Sequence, residues 1–539
     1  MYKWVRKDLY EFGSYLEENS GSTKLENIDY DLVFIGAGLA STHTLIEFIN
    51  NLKFRNPSNI FGRKFKIAVF EKDEWVWGGI PYGRRSSFTS LIITPLDEFL
   101  PDYELEPFID WMCINYQWLI KPFKESAGSR SKKWLKESEN KILQKESHNI
   151  HIPRYFFGIY LWDKLRKSFN KLENDIGISF ISQEVSSIKK TSKRDCRFVI
   201  ESNDLNYFTK NIMLGVGIPE IRTLKIDNKS NCRSLIIQDP YYPDLGSQLE
   251  KIKNHITLIK QPKIIIIGAN ASALEIIYQI QNNLGATEDL IFKVLSPQGK
   301  LPNLFIKNKP SKFNAKSLNQ LDSSNQNITA DSILEAFKKD LQFADLNNYD
   351  ISDTLPIFTG FVGSLVSKLN DDEKLRFVTF HGVEIGRLQR RAGYEYTLPI
   401  NELTEKGLIE IISGKLIEIT LDESYAGMAN YISEGNVCYE NFDVLVNCSG
   451  SSGLDNKNLS SLLLQLIESG FCKPTPSSHG FIVGDKFDVC DGFYINGPLL
   501  AGNVVGSMGI WHVEHCGRIM SFSKKISNYL IDDILKYKY

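Results

Sequence analysis

The chain of 539 residues has eight cysteines, and no two of them are spaced as CxxC. That argues against a zinc site and against a redox-active dithiol, and leaves free thiols in a reducing, cytoplasmic setting as the expectation. No stretch reaches about 18 uninterrupted apolar residues, so no membrane-spanning helix is expected. Residues 1–27 lack the apolar core of a secretory signal and read as a polar leader. The formal net charge is only −2, and the aromatic residues are not interleaved with basic runs. Nothing in that balance suggests binding to nucleic acid or to an anionic membrane. HVEH at 512–515 is not HExxH, and no third ligand is in sight, so no metal site is expected.

What is present is a soluble composition, 42% hydrophobic and 24% charged, in a chain too long for one core. Two stretches share one grammar. DYDLVFI leads into GAGLAS at 36–41, and KIIII leads into GANASA at 268–273. Each is an apolar strand, a glycine turn and a helix, the junction that receives a dinucleotide pyrophosphate. In the first, Gly36 makes the turn, Gly38 lets a phosphate approach, and Ser41 takes the helix-packing position usually held by Gly or Ala. A second strand, KFKIAVFEK, ends at Glu71, placed to accept hydrogen bonds from a ribose diol. In the second, Gly268 and Ala273 keep their roles, but Asn270 stands where a second glycine is expected and would crowd the phosphate path. The following strand, LIFKVLSPQGK, ends without an acid. Ser296 and Lys300 could face a 2′-phosphate there, so the choice between NADH and NADPH is open.

The fold class expected is therefore α/β, with two Rossmann-like dinucleotide-binding domains, the first split by the second. The boundaries expected are 28–225 for the first part of the first domain, 226–440 for the second domain, and 441–539 for the return segment of the first. Residues 302–332, rich in Asn, Ser and Lys, read as a surface insertion. An apolar helix is expected from about 506 to 526.

In order along the chain, EKDEWVWGGIPYG (71–83), LIITPLDEFLPD with FIDWM (91–112), HIPRYFFGIYLWDKL (151–165), IMLGVGIPE (212–220), VLSPQGKLP (294–302), VLVNCSG (444–450) and GFYINGPLLAGN (492–503) resemble a known set of elements. The chain is similar to the FAD/NAD(P)-binding protein family of mostly uncharacterised bacterial flavoproteins. These are related to flavin-containing monooxygenases and to lysine/ornithine N-hydroxylases. The resemblance implies FAD in the first site and NAD(P)H in the second. It places Gly217, Gly450, Asn496, Gly497 and Pro498 on cofactor-contacting loops and points the last helix at the flavin. Pro297 replaces an arginine of the family element, and the Ala-Thr of the strand end at 212–220 is missing.

Arg154 could reach a phosphate or pair with an acid. Tyr82, with Trp75 and Trp77, could cover an adenine or flavin face or simply pack. His512 and His515, ahead of the last helix, are candidate acid–base residues; packed or solvent-facing histidines are the alternative. The resemblance implies a flavin monooxygenase that uses NAD(P)H and molecular oxygen on a small soluble substrate, with an amine nitrogen as one target. The alternatives are a flavin oxidase or dehydrogenase with a vestigial NAD(P) domain, and a non-catalytic flavin- or nucleotide-binding sensor or partner protein. The sequence does not give the oligomeric state.

Overall fold

A computed structural model describes residues 28–536, apart from 55–61, 74, 173, 193–195, 229–232, 285–289, 308, 325–326, 422–426 and 514. The expected polar leader lies outside the described residues.

The first sheet is built from β1 (Ile28–Ile35), β2 (Phe65–Phe70), β3 (Ile176–Ile181), β4 (Ser187–Lys190), β5 (Phe198–Ser202) and β6 (Leu205–Leu214). β1 lies between β2 and β6 and is parallel to both, and the late strand Phe493–Ile495 joins the far side of β6 in parallel. Leu32, Val33 and Phe34 of β1 are fully buried, as expected of a strand covered on both faces. Three helices cover this sheet: α1 (Leu39–Lys53), α2 (Arg154–Asn170) and the last helix of the chain, Cys516–Lys536. The first glycine turn therefore sits where connections leave the sheet in opposite directions, the switch point at which open α/β sheets bind ligands.

The second sheet repeats the plan. β7 (Ile226–Asn228) belongs to a separate four-stranded layer. β8 (Leu235–Ile237), β9 (Lys263–Ile267), β10 (Ile291–Ser296), Ile409–Ser413 and Val444–Asn447 form a parallel sheet in which β9 lies between β10 and Val444–Asn447. Val444–Asn447 thus corrects the expected boundary at 440/441, because it completes the second sheet rather than opening the return segment. A continuous apolar run does not say which of two sheets it joins. The two passages between the domains meet at an antiparallel bridge, Ile221 to Ser451, with Arg222 N–H donating to the Gly450 carbonyl.

Two further expectations are corrected. Residues 302–332 do not form a simple surface excursion. They open a helical insertion (helices Lys316–Ser323, Ala330–Leu346, Ile351–Lys368 and shorter turns to Leu388) with its own core. Phe313, Ala315 and Leu318, inside the supposed excursion, are buried in that core with Ile333, Phe337 and Phe358. The last helix starts at Cys516 rather than near 506. Gly506, at φ +56°, turns a short hairpin between Asn503–Val505 and Met508–Ile510, and a helix cannot run through a left-handed residue.

Among the described residues no helix is long and apolar enough to cross a membrane.

Candidate functional site

Both glycine turns are built by the same two constraints. Gly36 N–H donates to the carbonyl of Phe70 at the end of β2, and a Cβ at Gly36 would lie 2.6 Å from the Gly215 carbonyl oxygen, just past β6. Gly268 N–H donates to the carbonyl of Leu295 in β10, and a Cβ there would lie 2.2 Å from the Cys448 carbonyl oxygen, just past Val444–Asn447. Both have left-handed backbones, φ +85° and +105°. The fold itself demands glycine at these two positions.

Gly38 is different. Its φ of −80° and ψ of −172° suit any residue, and a Cβ would meet only the Gly79 Cα at 3.8 Å. No packing or backbone reason requires glycine here. Gly38 and Gly79 lie side by side at the N-terminus of α1, where the first helical N–H groups are unpaired. Ser41 packs against Gly215, where a Cβ would lie 2.3 Å from the Ser41 Oγ. It therefore fills the close helix–strand contact expected of it. Glu71 stands beside the turn and accepts from the Ala37 N–H at 2.8 Å and the Asp73 N–H at 3.1 Å; burial raises its pKa. A carboxylate has about four acceptor positions, so these N–H groups do not exhaust it.

Residues 33–219 match the family model for FAD-NAD(P)-binding. The matched stretch runs from the first glycine turn through Glu71, Tyr82 and Arg154 to Gly217. The cofactors of this FAD/NAD(P)-binding fold are FAD and NAD(P)H, and its chemistry is oxidoreduction. Over 514 residues the chain is 26% identical to uncharacterized proteins of Mycobacterium tuberculosis and Mycobacterium bovis, covering 93% of this chain and 95% of theirs. Its fold is similar to L-lysine 6-monooxygenase from Pseudomonas syringae, with a TM-score of 0.52 and 11% identity over 94% of this chain and 99% of that one. It is also similar to the FAD-bound cadaverine monooxygenase DfoA of Erwinia amylovora, with a TM-score of 0.50 and 11% identity over 94% and 95%. The resemblance read from the sequence and the two-domain α/β fold are thus both found.

In the second half of this flavoprotein fold, α3 (Ala271–Leu284) follows the Gly268 turn. Asn270 opens it, its carbonyl accepting from the Ala273 and Leu274 N–H groups, and Ala273 is fully buried against the sheet. The Ser296 hydroxyl accepts from the Gly299 N–H, so it serves the local turn, while Pro297 and Lys300 lie exposed.

Of the two roles open to Arg154, the structure shows the acid pair. Its Nη1 lies 3.0 Å from Glu275 Oε2 on α3, and its Nε donates to the Leu91 carbonyl at 2.8 Å. Glu275 Oε2 also accepts from the Tyr241 hydroxyl at 2.6 Å. The Tyr396 hydroxyl donates to the Leu91 carbonyl and accepts from the Leu91 N–H. Beside them, Thr89 and Ser90 bond to Gln279, and Ser131 to Asn282. A buried polar seam thus ties the two dinucleotide domains together. Glu275 was missed in the sequence, although its place one turn into the helix of GANASALE was visible.

Tyr82 packs edge-on to Phe99 and Phe157, with ring centroids 5.7 and 5.2 Å away. Trp77 is a core residue, stacked on Trp162, and Trp75 lies under Arg84. Gly217 and Gly450 have positive φ and open space where a Cβ would point, on the two passages between domains. Asn496 is spent inside the fold. Its amide donates to Thr44 on α1 and to Ser523 on the last helix, and its oxygen accepts from the Gly497 N–H. Gly497 (φ +91°) lies against Ala40, where a Cβ would sit 3.3 Å away, and Pro498 starts a short 3₁₀ turn.

His512 and His515 are not part of the last helix but precede it. His515 Nε2 is 2.9 Å from the Glu98 carbonyl, and the His512 ring lies 3.8 Å from where a Cβ on Gly386 of the insertion would be. His512 and His515 both keep an exposed surface; the protein packed around their rings, then Arg518 and Arg391 nearby, lowers the pKa of each. Arg391 pairs with Glu98 and Lys307 with Asp97, so the insertion is fastened over this corner. Arg391 therefore has an acid partner inside the protein. Among the described residues, no group of three or more His, Cys, Asp or Glu is arranged to hold a metal ion.

Proposed function

We propose that this protein is an FAD-dependent monooxygenase, reduced by NAD(P)H, that oxygenates a small soluble substrate at an amine nitrogen. The observation that carries the cofactor part is Gly38, a glycine that neither backbone nor packing requires. Gly36, Gly38 and Gly79 would cradle the FAD pyrophosphate at the N-terminus of α1, and Glu71 would hold the ribose. Gly268 and α3 would hold the NAD(P)H. FAD supplies the redox chemistry when bound, taking electrons from NAD(P)H and passing them to oxygen.

The choice of oxygen as acceptor rests on the cysteines and on the fold. The chain has no CxxC to relay electrons to a disulfide substrate. The two monooxygenases of similar fold act on lysine and cadaverine, both amines. Tyr82, Phe99 and Phe157 form a packed aromatic cluster that would help to shield a reactive flavin from water. His512, with its pKa lowered, would serve as a neutral hydrogen-bonding ring beside the last helix.

The test is an absorbance titration of the purified protein with NADH and NADPH under anaerobic conditions, followed by oxygen and candidate amines. The expected result is a flavin band that bleaches, with oxygen uptake and hydroxylamine product rising only when the right amine is present. A second reading, a flavin oxidase or dehydrogenase with a vestigial second site, is favoured by Asn270. A flavin band that bleaches with substrate but not with NADH or NADPH would replace the first reading with the second.

A further inference from the structure

The C-terminal end of α3 carries three carboxamides, Gln279, Gln281 and Asn282, and all three are buried. Such a cluster is costly unless each amide finds a partner. The partners come from the first domain. Gln279 Oε1 accepts from the Thr89 hydroxyl at 2.9 Å, and its amide donates to the Ser90 hydroxyl at 3.2 Å. Gln281 Oε1 accepts from Arg130 at 2.8 Å. Asn282 Oδ1 accepts from both the N–H and the hydroxyl of Ser131, at 2.9 and 2.8 Å, while its amide reaches Thr89 at 3.4 Å.

The Asn282 contact is a helix cap supplied across the domain boundary. The first-domain helix Ser129–Leu143 starts after Gly128, which has no side chain to cap it. Ser131 is the third residue of that helix, and its N–H is one that a capping side chain ordinarily takes. The Gly128 backbone, at φ −89° and ψ −158°, suits any residue, yet a Cβ there would lie 1.6 Å from the Asn282 carbonyl oxygen. Glycine at 128 therefore answers to the contact between domains. The capped helix is fixed in turn inside the first domain, where Trp134 is fully buried, packs on Phe123 and donates to the His151 carbonyl at 2.8 Å. α3 is a strut of 14 residues, about 21 Å long. One end follows the second glycine turn, and the other is bolted to the first domain. Turning one domain against the other would uncap a helix and strand three buried amides.

We propose that Asn282 and Gln279 are positioning residues for hydride transfer from the nicotinamide, which is oxidised, to the flavin, which is reduced. They hold α3, and with it the bound nucleotide, at one fixed setting against the flavin domain. This rests on the reading of the two turns as FAD and NAD(P)H sites. The nucleotide would then meet the flavin with the domains docked, and errors of placement would be felt in the rate.

Asn282→Ala in the FAD-loaded protein tests this. Anaerobic flavin reduction at saturating NADH or NADPH should slow by about tenfold or more, since small misplacements weigh heavily on a transfer step. Equilibrium affinity for the oxidised nucleotide should stay within about threefold of wild type. A free N-benzyl dihydronicotinamide, which needs no hold from α3, should reduce the flavin at the wild-type rate. Amide exchange, read without any nucleotide, should be about tenfold faster at Ser131 in the variant, because the cap is gone. Reduction of the variant by NAD(P)H at wild-type speed would overturn the proposal while leaving the nucleotide site standing. So would an equal slowing with both reductants, which would place the damage in the flavin site. If neither nucleotide reduces the wild type, the NAD(P)H reading and this inference fall together. Should Asn282→Ala not fold, Thr89→Val, which cuts the seam from the first domain and leaves α3 untouched, takes its place in the comparison of reductants.

Discussion

The two glycine turns share their construction and differ at one position. Gly36 and Gly268 are locked by the same pair of forces, a left-handed backbone and a carbonyl less than 3 Å from any Cβ. The next glycine, Gly38, answers to neither force, and there the second turn has Asn270. The comparison separates glycines that the fold needs from a glycine that the fold does not need. The second turn has the first kind and lacks the second, and its sheet is built as the first one is. The ends of the following strands differ as well. Glu71 closes on the first turn, whereas Ser296, at the end of β10, serves its own loop.

The comparison breaks most sharply at the shared glycines. Gly268→Ala and Gly36→Ala should each cost about 3 kcal/mol or more, combining left-handed strain with a backbone clash, and Gly268→Ala should be the worse. Thermal melting reads the effect; a melting temperature within a degree or two of wild type would mean the turns relax easily. Next comes Gly38→Val. It should melt near the wild type yet bind FAD about a hundredfold more weakly, because the side chain occupies the phosphate path. Flavin absorbance per protein measures it, and full flavin retention would remove the first site from this account.

A smaller effect concerns acid stability in the first domain. Burial lowers the His151 pKa to about 4 and the His43 pKa to about 3, both below the ordinary value of 6.5. Folded-state values below unfolded ones mean that stability is full above about pH 6.5 and is lost as pH falls. By pH 5 each group should cost about 2 kcal/mol. Chemical denaturation at pH 7 and pH 5 measures the slope, and His151→Gln should flatten it. The mildest change is Asn270→Gly, which should make the second turn like the first. Oxidised nucleotide should bind about threefold tighter, with melting almost unchanged. Weaker binding would show that Asn270 helps hold the nucleotide.

Much of this was legible from the chain because strand–turn–helix junctions are written locally. Gly36, Gly268, Ser41 and Ala273 are placed as their spacing implies. What was not legible depends on distant partners. Arg154 shows no sign of Glu275 in its own neighbourhood, since the two are joined only when the domains dock. The insertion hid its core because Phe313 and Leu318 are sparse among Asn, Ser and Lys. Val444–Asn447 is apolar throughout, which says that it is buried but not in which sheet.

The helical insertion leaves the second domain at Asn303 and comes back at Arg391, and these residues are direct partners in a two-residue parallel pair with Leu304 and Ala392. The segment thus starts and finishes one strand spacing apart, like a balcony on a single bracket. Whatever its length, the parallel sheet behind it need not shift. Lineages of this chain can lengthen, trim or exchange the balcony, and so revise what overhangs the corner at His512, without rebuilding either nucleotide site.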